Sequence, residues 1–158
     1  MALKRLQSEL KQLVTEPNYF YSVEPDPKNF FVWNVLLIGP PDSPFEGGIF
    51  KCQFKFSPKY PNKAPEFCFV TQFPHPNIYA DGKVCISILH DGADEWGYED
   101  ISERWNPSHS VNSILMSVLS MLSDPNFESP ANVDASVMWR NNWDQYKKII
   151  YKIVAISH

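Results

Sequence analysis

Residues 30–56 read FFVWNVLLIGPPDSPFEGGIFKCQFKF, two apolar runs on either side of a break dense in glycine and proline. In the second run Phe50, Cys52, Phe54 and Phe56 alternate with Lys51, Gln53 and Lys55. That period of two puts one face of a strand in a core and the other in water. Cys52 therefore reads as core. The break, Gly39 to Gly48, forbids regular structure and demands a long turn, so the two runs pair across it. Working outward, Tyr19–Val23 and Glu66–Thr71 have the same texture, and with Phe30–Ile38 and Ile49–Phe56 they predict a four-stranded antiparallel meander. Cys68 shares a face with Glu66 and Val70, opposite Phe67 and Phe69, which leaves its burial open.

Both ends of the chain are helical in pattern. All fourteen prolines lie between Pro17 and Pro130. Before them, Leu3, Leu6, Leu10, Leu13 and Val14 form an amphipathic stripe whose charged side carries Lys4 and Arg5, a candidate docking point. Beyond Pro107, Val111, Ile114, Leu115, Val118, Leu119 and Leu122 form a broader stripe, capped by Ser108 or Ser110 and ended by Asp124-Pro125-Asn126. Val133 to Ser157 holds no proline or glycine and predicts one or two closing helices. Strands in a block between helices indicate an α+β fold, one domain over residues 1–158.

The composition excludes several roles. With 158 residues and 44% apolar content the chain is too apolar for disorder, and no run approaches the roughly 20 apolar residues of a membrane span. A net charge of −4 and a pI near 5.5 argue against nucleic acid as a partner. Cys52, Cys68 and Cys85 form neither an even disulfide set nor a CxxC pair, and no secretory signal opens the chain, which points to a reducing cytoplasmic setting. Cys and His positions show no paired ligand spacing, so no metal is expected.

The chemistry gathers in the irregular stretch Phe73–Trp105, too long for an idle connection. Asp81-Gly82 is a tight-turn signal, and after it Val84, Ile86 and Ile88 alternate with Cys85, Ser87 and Leu89. Cys85 thus points away from the apolar set, where a thiol is either structural or reactive. Upstream, Pro74-His75-Pro76-Asn77 delivers a carboxamide to a fixed turn. Asn77 can donate to a developing oxyanion, brace the turn through the backbone, or do both. His75, held between prolines, reads as scaffold.

Tyr60-Pro61 with Pro65, His75-Pro76-Asn77, Gly82-Lys83-Val84-Cys85-Ile86-Ser87-Ile88-Leu89 and Trp105-Asn106-Pro107 together resemble a ubiquitin-conjugating enzyme, in that family's order and spacing along the whole chain. The resemblance implies the ubiquitin-conjugating fold, with Cys85 taking the ubiquitin C-terminus as a thioester and Asn77 aiding transfer to a lysine amine. It implies His75, Pro76, His90 and Ser129 as active-site support, and Lys4, Arg5, Pro61, Asn62, Lys63, Pro107 and Ser108 as the docking surface for activating enzyme and RING-type ligase. No cofactor is expected, because the activating enzyme uses the ATP.

Between Cys85 and Trp105 the chain is longer than in most of the family. An insertion at about residues 91–104 carries Asp91, Asp94, Glu95, Glu99, Asp100 and Glu103, with no Lys or Arg from 91 to 103. This acidic loop, with Ser129-Pro130-Ala131-Asn132-Val133-Asp134-Ala135-Ser136, resembles the G-type subgroup. That likeness implies polyubiquitin chain building and protein degradation at the cytosolic face of the endoplasmic reticulum, through a membrane-anchored adaptor and without direct membrane insertion. Six acids near a thiol can orient an incoming amine or a basic patch on ubiquitin, at a cost to thiolate formation. Two departures stand out. Asn62 and Ser108 replace the apolar residues that many relatives show to ligases, and Ser129 stands where many have an acid. Three rival readings stay open: a cysteine hydrolase using His75 or His90, a non-catalytic binding module of the same fold, and a conjugating enzyme for another ubiquitin-like modifier.

Overall fold

The structure, a computed structural model, describes residues 1–92 and 102–158. Helix α1 spans Ala2–Thr15, strands β1 to β4 span Tyr21–Asp26, Asn29–Ile38, Ile49–Lys55 and Glu66–Phe69, and helices α2 to α4 span Val111–Ser123, Val133–Asn141 and Trp143–Ile156. The strands form one antiparallel sheet in sequence order, with Val35 opposite Cys52 and Leu37 opposite Phe50. Its inner face presents Trp33, Leu37, Phe50, Phe54 and Phe67, all fully buried in one cluster with Ile114, Leu115 and Leu122 of α2 and Tyr146 and Ile150 of α4. Cys52 is buried there. Cys68 lies on the outer face, half-buried, its thiol directed at the Gln53 carbonyl oxygen.

The element boundaries differ from the sequence pattern in physically simple ways. β1 starts two residues later than expected and runs through Pro25 to Asp26, because an edge strand can carry a proline where a ladder N–H is not needed. The register shifts at that proline. β4 stops at Phe69 because the Val70 and Thr71 N–H groups both turn onto the Lys51 carbonyl. β3 stops at Lys55, one residue early. Of the two candidate caps for α2, Ser110 is the one used: it accepts from the Ser113 N–H at 3.2 Å and forms a reciprocal capping box. The closing segment is two helices, parted at Asn142.

A buried carboxylate ties α1 to α2. Glu9 accepts from the Val111 N–H at 2.8 Å at the N-terminus of α2, and from Arg5 Nε at 2.9 Å and the Tyr60 hydroxyl. Arg5 also donates to the carbonyls of Pro107 and His109. Arg5 is therefore a bracing residue as well as part of the surface predicted for docking, while Lys4 is exposed. Replacing Glu9 by alanine leaves a helix-end N–H, a hydroxyl and a guanidinium without this acceptor. A loss of roughly 2–4 kcal/mol in urea-unfolding stability is expected, and a loss below about 1 kcal/mol would show that solvent substitutes for the carboxylate.

Candidate active site

The turn that holds Asn77 is fixed from four directions. His75 is fully buried; its Nδ1 accepts from the Asn77 N–H at 3.0 Å, so Nε2 carries the proton and donates to the Met121 carbonyl at 3.1 Å. The Pro76 carbonyl accepts from the Ala131 and Asn132 N–H groups, and the Tyr146 hydroxyl donates to the Pro74 carbonyl at 2.6 Å. Asn77 itself is buried. Its Nδ2 donates to the Asn126 carbonyl at 2.8 Å and its Oδ1 accepts from the Asn126 N–H at 2.9 Å, so both ends of the carboxamide grip one peptide stretch. The bracing role is the one the structure shows, and the clasp uses one of the two hydrogens on Nδ2.

Cys85 is registered directly against this turn. Its N–H donates to the Asn77 carbonyl at 2.9 Å, next to a bridge between Ile78 and Val84. The predicted alternation ends at Ile86, because Ser87–Leu89 close into a 3₁₀ turn in which Leu89 N–H reaches the Ile86 carbonyl. That turn folds the chain back and puts His90 Nε2 3.6 Å from the Cys85 sulfur. Asn77, Cys85, Ser87, His90 and Ser129 line one open groove of about 910 Å³. Pro76 takes no part in the lining and acts through its carbonyl.

Two carboxylates not singled out in the sequence, Asp124 and Glu128, line the same groove. Asp124 reads in sequence as a helix stop, and Glu128 directly precedes Ser129. Asn126 Oδ1 accepts from the Glu128 N–H at 2.9 Å, so the loop that grips Asn77 also sets Glu128. Tyr79, which no motif in the sequence marks, also reaches the site: its hydroxyl lies 3.7 Å from the Cys85 sulfur.

The insertion is tied at its stem. Arg104 donates to the carbonyls of Asp91 and Gly92 at 2.8 and 2.6 Å, and the Trp105 N–H donates to the His90 carbonyl. Asp91 and Glu103 are exposed, and Asp91 caps the Ala64 N–H at 2.7 Å, so this acid braces the stem. Asp94, Glu95, Glu99 and Asp100 lie outside the described residues. Trp105 Nε1 donates to the Pro61 carbonyl, which brings the exposed Asn62 and Lys63 beside the exposed Pro107 and Ser108, with Arg5 reaching the same segment. The predicted docking residues thus share one region of the surface. Among the described residues no helix is long and apolar enough to cross a membrane.

Burial lowers the His75 pKa to about 3, against smaller opposing contributions from the Met121 and Leu122 carbonyls. Both ring nitrogens are engaged by backbone groups and the ring is fully buried, so His75 presents no nitrogen to the groove. The unfolded chain, with an ordinary histidine near 6.5, binds more protons than the folded one between those values, so stability rises with pH across that window and falls on acidification. A His75→Gln variant is expected to lose stability at pH 7 yet show a flatter decline from pH 6.5 to 4, by up to about 1.4 kcal/mol per pH unit. Parallel declines in urea melts would remove His75 as the source.

The model of the family described as ubiquitin-conjugating enzyme matches residues 5–154. The chain is 50% identical over 158 residues to human "Ubiquitin-conjugating enzyme E2 G2", covering 99% of this chain and 96% of that protein. It is 50% identical over 154 residues to "Ubiquitin-conjugating enzyme E2 7" of Arabidopsis thaliana, covering 96% and 93%. It is 54% identical over 133 residues to "Probable ubiquitin-conjugating enzyme E2 7" of Caenorhabditis elegans, covering 84% and 81%.

Proposed function

The chain belongs to the ubiquitin-conjugating enzyme family, and on that footing we propose that Cys85 carries ubiquitin as a thioester and passes it to a lysine amine. The observation that carries this reading is the bond from the Cys85 N–H to the Asn77 carbonyl, which sets the thiol and the carboxamide on one groove. In charging, the Cys85 thiolate attacks the carbonyl carbon of the thioester on the activating enzyme; a new C–S bond forms and that enzyme's thiolate leaves. In transfer, an amine attacks the same carbonyl, the oxyanion is met by Asn77, and the C–S bond breaks with its electron pair on Cys85. Asp124 and Glu128, with Ser129 beside them, accept or orient the amine's protons, and His90 supports the thiol from the rim. ATP is consumed by the activating enzyme, and this chain needs no cofactor.

The surface around Arg5, Pro61–Lys63 and Pro107–Ser108 receives the activating enzyme and a RING-type ligase in turn. Chain building, degradation at the endoplasmic reticulum and recruitment by a membrane-anchored adaptor are supported by the acidic insertion and the G-type likeness. The test is a charging assay with activating enzyme, ATP and ubiquitin, resolved with and without reductant. An ATP-dependent, reductant-sensitive adduct is expected. Its absence, with ubiquitin-chain cleavage in the same preparation, would replace transfer with hydrolysis; its absence without cleavage would leave a binding module.

A further inference from the structure

We propose that the Tyr79 hydroxyl is a working hydrogen-bond donor to the Cys85 sulfur, steadying the thiolate before charging and holding the sulfur again as it leaves during transfer.

The placement of Tyr79 is built into the backbone. Its N–H donates to the Lys83 carbonyl at 2.9 Å and its carbonyl accepts from the Gly82 N–H at 2.9 Å, closing a tight turn. Asp81 Oδ1 accepts from the Lys83 N–H at 3.0 Å inside that turn. Gly82 sits at φ +95°, and its carbonyl accepts from the Phe69 N–H; a side chain there would meet the Phe69 oxygen at 2.2 Å, so the turn is locked onto β4. Across this turn the bridge of Ile78 with Val84 aligns the two arms, which places Tyr79 beside Cys85, with the hydroxyl 3.7 Å from Sγ. His90 Nε2 stands at 3.6 Å from the same sulfur.

The two neighbours are chemically different. An imidazole can give or take a proton according to its tautomer, whereas a neutral phenol beside a thiolate can only donate. The Cys85 sulfur, as hydrogen-bond acceptor and then as charge, holds the phenol above its ordinary value, followed by burial and Asp81. A donor to the charged form favours that form. The same bond is available when the tetrahedral adduct collapses: the amine nitrogen has bonded to the carbonyl carbon, the C–S pair returns to sulfur, and the phenol stabilises that charge without giving up its proton. The amine's own proton goes to the carboxylate side of the groove or to water. Because Tyr79 is nearly half exposed (46%), removing the hydroxyl leaves no buried cavity.

The thiolate half of this proposal stands on geometry alone; the leaving-group half rests on the transfer reading above. The experiment compares Tyr79→Phe with the parent chain in two readouts. In the first, iodoacetamide labelling is followed peptide by peptide against pH. The Cys85 midpoint is expected to rise by about half a unit, while the Cys68 peptide in the same digest stays where it was. In the second, preformed ubiquitin thioester is discharged to free lysine in a single turnover, expected roughly 3- to 10-fold slower with an unchanged amount of starting thioester. Superposed Cys85 labelling curves would overturn the proposal, as would a shift shared by Cys68 together with a lowered melting temperature. A labelling shift with unchanged discharge would overturn the leaving-group half. Failure of the parent chain to charge at all would sink the transfer reading and that half with it, while labelling would still decide the thiolate half.

Discussion

Cys85→Ser is expected to take ubiquitin from the activating enzyme as an adduct that survives reductant, and then to stall. A seryl hydroxyl can occupy the thiol's place on the groove, but the ester it forms is a poorer electrophile towards amines and expels a far more basic leaving group. Discharge to lysine is expected to fall on the order of 1000-fold, about 4 kcal/mol of barrier. Cys85→Ala should give no adduct by either gel. The background for this comparison is clean. Burial first, then the neighbouring Cys68, raises the Cys52 thiol well above its ordinary value, and partial burial raises Cys68 more modestly. Both shifts disfavour the thiolate, the nucleophilic form, at neutral pH. A reductant-sensitive adduct that persists in Cys85→Ala would move the carrier to another residue and end the assignment.

Asn77→Ala carries the second large effect, and two consequences have to be separated. As an oxyanion donor, its loss is expected to slow lysine discharge ~100-fold or more while charging proceeds. As a clasp, its loss removes two part-buried hydrogen bonds to the Asn126 backbone, at 2.8 and 2.9 Å. About 1–3 kcal/mol of stability should go with them, since buried backbone groups lose their partners. The two are distinguished by temperature. If the discharge defect stays ~100-fold well below the melting point of the variant, the carboxamide acts on the reaction; if it vanishes on cooling, Asn77 only shapes the turn. Asn77→Asp sharpens the comparison, because a carboxylate keeps an acceptor for the Asn126 N–H but presents no donor to an oxyanion.

The strand block, the central helix and the position of Cys85 were legible because each rests on a local period or a local stop signal. Phe50, Cys52 and Phe54 alternate in sequence and are buried together. Ser110 and Asp124-Pro125 bracket α2 as their chemistry demands. What the pattern misjudged depends on partners far along the chain. Pro25 sits in a strand because the strand is at an edge, which one strand's sequence does not disclose. Ile88 continues an apparent strand alternation, but the chain there turns into a 3₁₀ bend, and burial of Ile88 is compatible with both. In the site, Asn77 and His75 were found from their motif, whereas Tyr79, Asp124 and Glu128 join it only through the fold. Arg5 shows the same limit in reverse: read as a surface charge for docking, it is also engaged by Glu9 and by two carbonyls a hundred residues away.

The braces of the Asn77 turn also set an order of events in the life of the chain. The turn is made by the middle of the sequence, yet its supports come from Met121, Asn126, Ala131, Asn132 and Tyr146. On a ribosome these follow the turn, and contacts so distant in sequence cannot form until α2 to α4 have emerged and docked. A nascent or truncated chain would own its nucleophile well before it owned the scaffold that aims it. The aiming of the thiol, unlike the thiol itself, thus waits for the helices that follow it in sequence.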